Sequence, residues 1–335
     1  MLKLSILDQV PIPKGQTTEQ ALKSSLELAK HADQWGYHRY WLAEHHNTGG
    51  LASSSPEILI SQLAAHTSSL RIGSGGVLLT HYSPLKVAEN FRTLEALYPG
   101  RIDLGIGRAP GGSPLTGLAL RDGDRRLPEE FPRLVQDVKR LLLNEEMIDS
   151  RFAGIRATPY SETRPELWLL GSSDASAALA AETGSSFSFA HFINGNGGAA
   201  VVRDYYARFQ PSAYQQEPKA SVCVFVVCAE TDEKAMQEAM SLEYWLLLTA
   251  QGKADAGVPS VEEAAEFHPI DWEIEHMQEN RRRMIVGSQE TVKAGLEYMA
   301  AEYGTDDLMI ITNLHNQNAR LNSYKLLAEA FQLTN

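Results

Sequence analysis

The sequence predicts an α/β fold closed into a single (β/α)8 (TIM) barrel. Three observations predict it. Short apolar runs alternate with amphipathic stretches along the whole chain, and eight such pairs can be counted. Crossover helices between strands imply a parallel sheet. The turn after the first strand, Asp8-Gln9-Val10-Pro11, has no glycine before Gly15, so the phosphate fingerprint of an open doubly wound sheet is missing. A length of 335 residues suits one such barrel.

Residues 2–7 read as the first strand. Residues 17–35 read as a helix with Leu22, Leu26 and Ala29 at helical spacing, stopped by Gly36. Residues 40–43 make the next strand, and Pro56 opens a helix through Leu59, Leu63 and Ala64. Residues 70–79 are strand-like but carry Gly73, Gly75 and Gly76, and the helix 84–97 after them stops at Pro99-Gly100. Residues 102–106 form the fourth strand. A loop rich in glycine and charge, about 111–127, precedes a helix through Phe131, Leu134, Val138 and Leu142. Strand 167–170 then leads to helix 174–182, strand 187–193 to helix 199–209, and strand 222–228 to helix 233–248. A polar stretch, about 251–285, interrupts before helix 289–303, the eighth strand 308–312 and a closing helix through Leu321, Leu326 and Phe331. The expectation is one domain, 1–335, with insertions after strands four and seven.

Hydrophobic residues at 43% and charged residues at 21% are ordinary for a globular chain and exclude disorder. The 30 Lys+Arg and 42 Asp+Glu leave a net charge of −12. That argues against nucleic-acid and membrane partners, while a local phosphate pocket stays open. The two cysteines, Cys223 and Cys228, lie in one apolar run at an odd spacing, so on a strand they face opposite ways and cannot readily pair. A reducing, cytoplasmic location is the simplest reading. The N-terminal apolar run is short for a signal peptide, and no run approaches the ~20 residues that cross a bilayer.

Barrel chemistry gathers at the C-terminal ends of the strands. Asp8 and Gln9 end strand one, Glu44-His45-His46 strand two, and His191 strand six; Asp8, Gln9 and His191 are expected to line a substrate pocket. Glu44, His45 and His46 suit acid–base work or substrate orientation. As metal ligands they are badly spaced, because neighbours on a strand face opposite ways, and no metal is expected. Ser74-Gly75-Gly76 within a strand marks a bulge or the close approach of a flat ligand. Gly105-Ile106-Gly107 fails as a dinucleotide motif, since no helix follows at once. Arg108 suits an anion. The turn Gly171-Ser172-Ser173, with Ser176 one turn into a helix, offers free N–H groups and hydroxyls, and with Arg108 it reads as a phosphate site.

These motifs, in this order, resemble the bacterial luciferase-like flavin monooxygenases. The likeness is carried by Leu4-Ser5-Ile6-Leu7-Asp8-Gln9, Ala43-Glu44-His45-His46-Asn47, Arg71-Ile72-Gly73-Ser74-Gly75-Gly76-Val77 and the run from Pro99 through Gly107-Arg108. It spans almost the whole chain. The resemblance implies reduced FMN, supplied by a separate NAD(P)H:flavin reductase, and oxygenation of a small organic substrate with O2. It implies a flavin ring against a bulge with a non-prolyl cis peptide at Gly75-Gly76. It places the phosphate at Arg108, Ser173 and Ser176 with Arg126 as helper, a catalytic histidine at His45, and a homodimer through the helices after strands two and three. The stretch 251–285 falls where luciferases carry a mobile loop, and Arg281-Arg282-Arg283 at its end is either an anion clamp or a solvated basic run. Gly107 stands where luciferases carry a reactive cysteine and Ser172 where they carry an acid, so light emission and long-chain aldehydes do not carry over. The rivals are deazaflavin-dependent hydride transfer, a metal-dependent barrel hydrolase, and a non-catalytic flavin-binding protein.

Overall fold

Every barrel strand presents alternate side chains to two different apolar layers, and that alternation organises the molecule. The computed structural model describes residues 2–109, 111–124 and 128–333. Strands β1 (Lys3–Asp8), β2 (Arg39–Leu42), β3 (Arg71–Leu78), β4 (Ile102–Gly107), β5 (Glu166–Gly171), β6 (Ser186–Ala190) and β7 (Ala220–Cys228) pair in parallel, each with the next. Strand β8 (Met284–Gly287) pairs only with the end of β7, from Phe225 to Cys228. Strand β9 (Asp307–Ile311) joins β7 to β1 and closes an eight-stranded parallel barrel.

Helices cover the outside. They are α1 (Thr18–Gln34), α2 (Pro56–Ala65), α3 (Pro84–Leu97), α4 (Pro114–Leu120), α5 (Phe131–Leu142), α6 (Asp174–Glu182) and α7 (Gly198–Arg208). After β7 come α8 (Asp232–Ala250), α9 (Val261–Glu266) and α10 (Asp271–Arg281), then α11 (Gln289–Tyr303) and α12 (Gln317–Phe331). Local signals open several of them. Thr17 and Gln20 cap α1 reciprocally, Pro56 and Pro84 occupy first-turn positions in α2 and α3, and Ser288 caps α11 through the Thr291 N–H.

The barrel expectation holds, with three corrections. The glycine-rich loop contains α4, begun by Ser113 and Pro114. The polar stretch 251–285 holds α9, α10 and β8; with few apolar residues, its helices show no clear amphipathic period. The sixth strand stops at Ala190, where the His191 N–H turns back to the Phe189 carbonyl and the Ile193 N–H to Ala190, although the apolar run continues.

Two clusters result. Leu4, Ile6, Tyr40, Leu42, Ile72, Leu104 and Ile106 face the helices, whereas Leu7, Trp41, Ala43, Trp168, Cys223, Met309 and Ile311 fill the lumen. Cys223 and Cys228 fall in different clusters, as their odd spacing requires. Among the described residues, no helix is long and apolar enough to cross a membrane.

Candidate active site at the C-terminal mouth of the barrel

The lumen opens at the C-terminal strand ends into a cavity of about 410 Å3. Of the residues singled out from the sequence, Gln9, Glu44, His45, Gly75, Gly76, Gly107, Arg108, Gly171, Ser172, Ser173 and Ser176 border it. They come from the ends of β1 to β5 and the first turn of α6.

Strand period two decides which of them can act inside. Leu7 and Gln9 face in, so Asp8 faces the helices. Its carboxylate accepts from Ser25 Oγ at 2.7 Å, the Val10 N–H at 2.7 Å and Arg320 Nη2 at 2.6 Å. Burial raises the Asp8 pKa, but Arg320, Tyr40 and Ser25 outweigh it and hold the group below its usual range. Asp8 is a buried ion-pair partner of α12, not a pocket residue.

The same rule splits the cluster after β2. Trp41, Ala43 and His45 face the lumen while Glu44 and His46 face away. Glu44 borders the cavity with a side chain that has no exposed surface. Its Oε1 accepts from Tyr82 Oη and His46 Nε2, each at 2.7 Å, and its Oε2 from the Leu78 N–H at 3.0 Å. Glu44 and His46 thus tie the end of β2 to the segment after the β3 bulge, and the three groups do not converge on a metal site.

His45 alone of the three presents its ring to the cavity. Burial, with a smaller contribution from His46, pushes its imidazole down to about 4, so it is neutral at pH 7. Its Nδ1 is buried and has no partner. A neutral ring with an unused nitrogen beside a cavity is equipped to donate to, or accept from, a bound group.

On the neighbouring strand, β3 bulges between Ser74 and Val77, and the Gly75-Gly76 peptide is cis. A Cβ on Gly75 would lie 2.5 Å from Leu7 Cδ1, and one on Gly76 would lie 2.7 Å from the Gly105 carbonyl oxygen. Gly76 meets backbone and requires glycine, whereas a side chain at Gly75 would first have to displace Leu7. Ser74, expected to touch a cofactor, instead staples the bulge: its Oγ donates to the Gly105 carbonyl at 2.8 Å and accepts the Gly105 N–H at 3.1 Å.

The far wall is built differently. A Cβ on Gly107 would meet only Leu78 Cδ2, at 3.7 Å, so any larger side chain there would project into the cavity. Arg108 is exposed and has no carboxylate partner among the described residues. Ser173 sits at the N-cap of α6 without a capping bond, and its Oγ lies 3.4 Å from Ser176 Oγ. Two hydroxyls and a guanidinium therefore face one side of the mouth, together with the start of α6, where the Ala175 N–H already donates to Asp174 Oδ1 at 2.8 Å. Arg126 lies outside the described residues.

His191 is placed elsewhere. Its Nδ1 lies 2.7 Å from Tyr303 Oη on α11, and burial with nearby Arg283 lowers its pKa. The basic run at the end of α10 is no clamp: Arg281 pairs with Glu243, Arg282 is exposed, and Arg283 donates to the carbonyls of Phe192 and Ile193 at 2.7 and 2.6 Å. Sequence reasoning missed Ser188, Phe192, Cys223 and Met309, which complete the wall. Counting inward positions along β6, β7 and β9 finds three of them.

A cavity at this end of a closed parallel barrel is where (β/α)8 enzymes carry their chemistry. Residues 2–307 match the luciferase-like monooxygenase family, and the chain belongs to it: an oxidoreductase of the monooxygenase type. The uncharacterized protein YwcH of Bacillus subtilis (strain 168) is 47% identical over 331 residues, covering 99% of each chain. The N-acetyl-S-alkylcysteine monooxygenase of the same organism is 36% identical over 333 residues, covering 98% of each. The crystal structure of apo-MsnO8 superposes with a TM-score of 0.89 at 38% identity, covering 100% of this chain and 99% of the other. Two more distant structures share the fold alone. They are the oxygenating constituent of 3,6-diketocamphane monooxygenase from Pseudomonas putida in complex with FMN, and an F420-dependent secondary alcohol dehydrogenase with an F420-acetone adduct. Their TM-scores are 0.70 and 0.69, at 19% and 13% identity; each alignment covers at least 97% of both chains.

Proposed function

We propose that this chain is the oxygenating component of a two-component monooxygenase that uses reduced FMN from a separate reductase and O2. The observation that carries this reading is the asymmetry of the mouth. Arg108, with no carboxylate partner among the described residues, and the start of α6, where Ser173 makes no capping bond, lie on one side; the glycine bulge of β3 and, beside it, a neutral histidine whose Nδ1 has no partner among the described residues lie on the other. The donor set suits a phosphate, and the glycine positions suit a flat ring approaching backbone.

In this reading Arg108, Ser173, Ser176 and the first N–H groups of α6 hold the phosphate, while Gly171 and Ser172 leave backbone free to approach it. Gly75, Gly76 and Gly107 make room for the ring. When bound, reduced FMN supplies the two electrons that divide O2 between substrate and water. His45, neutral and desolvated, donates or accepts one hydrogen bond at the reacting face and keeps water from competing there. Glu44, His46 and Tyr82 position it.

Anaerobic titration with reduced FMN and, in parallel, reduced F420 tests the cofactor. Binding of reduced FMN with O2-dependent gain of one oxygen atom by a trial thioether, chosen after the N-acetyl-S-alkylcysteine relative, is the expected result. Oxygen-independent hydride transfer from reduced F420 would overturn it. Exposed Ile58 on α2 and Leu97 on α3 flank a groove suited to a homodimer contact, which light scattering checks. A cytoplasmic location completes the reading.

A further inference from the structure

The wall of the cavity away from Arg108 runs through β1, β9, β7 and β6, which are neighbours in that order. Its polar groups are amides and hydroxyls. Asn313, fully buried, donates from Nδ2 to Gln9 Oε1 at 2.6 Å. Gln9 is thereby held with its carbonyl spoken for, and its Nε2 donors have no acceptor among the described residues. Asn313 Oδ1 is buried without a partner. At the other end of the wall, Ser221 Oγ donates to Ser188 Oγ at 2.8 Å, which leaves the Ser188 hydrogen free for the cavity. Between these two donors lie the sulfurs of Cys223 and Met309. No described residue on this wall carries a charge.

We propose that this wall selects an uncharged small substrate bearing a carbonyl-type oxygen, which Gln9 reads through Nε2 with Asn313 as its positioning residue. The proposal rests on the preceding reading only in assigning the opposite wall to the FMN phosphate. A carboxylate on this wall would meet neutral donors and no cation, and burying an unpaired anion is costly. An ester or amide oxygen accepts the same donors without that cost. The wall therefore separates this chain from any relative that grips an anionic substrate here.

The test uses a matched pair, methyl 3-(methylthio)propanoate and the free acid, which differ only in the ester or carboxylate and carry no other carbonyl. Binding of each is measured by saturation-transfer NMR on the protein with and without FMN. The ester should bind at least tenfold more tightly than the acid. Gln9→Leu should weaken the ester about three- to tenfold, the value of one neutral hydrogen bond, and leave the acid unchanged. Asn313→Ala should reduce the ester-to-acid ratio while FMN affinity stays constant, which a merely structural role would not do. Should Asn313→Ala unfold the chain, Asn313→Ser and the Gln9 variant carry the test. Equal or tighter binding of the acid, binding of neither compound, or a ratio unmoved by Gln9→Leu overturns the proposal. Failure of FMN to bind sinks the cofactor reading instead, and the ester-against-acid comparison on the cofactor-free Arg108→Ala protein, which lacks the cation on the other wall, still decides this one.

Discussion

The two ends of the barrel are built on opposite principles. At the N-terminal end the lumen is closed by charge. Arg39 donates to Asp103, Asp307 and Glu166 at 3.0, 2.7 and 3.0 Å, Arg71 donates to Asp103 from Nε at 2.9 Å, and Trp41 Nε1 does the same at 2.9 Å. Arg39 also lies 4.8 Å over the Trp168 ring. The carboxylates there have cationic partners, and Arg39 is 4% exposed. At the C-terminal end, the His45 Nδ1 and the Arg108 guanidinium have no such partners among the described residues, and Ser173 at the start of α6 makes no capping bond. A satisfied network stabilises a fold, whereas groups left unsatisfied beside a cavity are available to a ligand. One end is finished by the chain itself; the other is finished by what binds.

The largest expected effect breaks the closed end. Arg39→Met leaves Asp103 and Asp307 buried around a missing cation and should cost about 3–5 kcal/mol of stability. Urea unfolding measures it. The FMN affinity of the folded fraction should not change, and a loss of less than about 1 kcal/mol would mean that the network is solvated and the contrast false.

Acid should dismantle the two ends in sequence. His45 takes up its proton near pH 4 in the folded chain and near 6.5 when unfolded. Between those values the unfolded state binds more protons, so stability falls as pH drops, in total on the order of 3 kcal/mol for one such histidine. His38, pushed down to about 4 by burial and Arg39, adds to the same window. At the closed end burial raises Glu166, but Arg71 and Arg39 outweigh it and hold it near 2. Its contribution is full above its unfolded value of about 4.3 and fades toward pH 2. Asp307, raised by its burial despite Arg39, works the other way: its folded form binds a proton before the unfolded form does, so as pH falls toward about 3.9 it offsets part of the histidine loss. His45→Asn should reduce the slope of the stability profile between pH 6.5 and 4 by about half, His38 keeping the rest, and leave the lower limb intact. An unchanged upper limb would show that His45 is solvated in the folded chain.

Smaller effects sharpen the contrast at the open end. Arg108→Ala should change stability by no more than about 0.5 kcal/mol. It should weaken FMN binding about 10- to 100-fold, as expected for charge-assisted bonds to a phosphate. Unaltered FMN affinity would move the phosphate off Arg108. Tyr82→Phe removes one of three donors to Glu44 and should cost about 1 kcal/mol with a modest fall in turnover. A variant with wild-type stability and turnover would show that Glu44 holds His45 without help.

The open end was the more legible of the two. Glycines at 75, 76 and 107, the histidine at 45, the arginine at 108 and the serines at 173 and 176 are adjacent to strand ends in the sequence, and all border the cavity. The closed end went unread. Arg39, Asp103, Glu166 and Asp307 are far apart along the chain and look like ordinary charges at strand starts. Strand geometry accounts for the residues that do not present their side chains to the cavity. Asp8, Glu44 and His46 sit beside inward-facing neighbours and point outward, and Ser74 is consumed by the bulge it stabilises. His191 falls past the true end of β6, where the chain turns toward α11.

Alternation of apolar runs, glycine punctuation and helix caps are local properties, so the sequence alone determined the barrel, the order of its strands and the end at which ligands bind. Which of two adjacent residues faces the lumen depends on where each strand starts pairing, and a shift of one residue reverses every side chain. The Arg39–Asp307 pair at one end and the Gln9–Asn313 pair at the other join residues more than 200 positions apart. Only the closure of β9 onto β1 brings them within hydrogen-bonding distance, so the tertiary structure alone decided them.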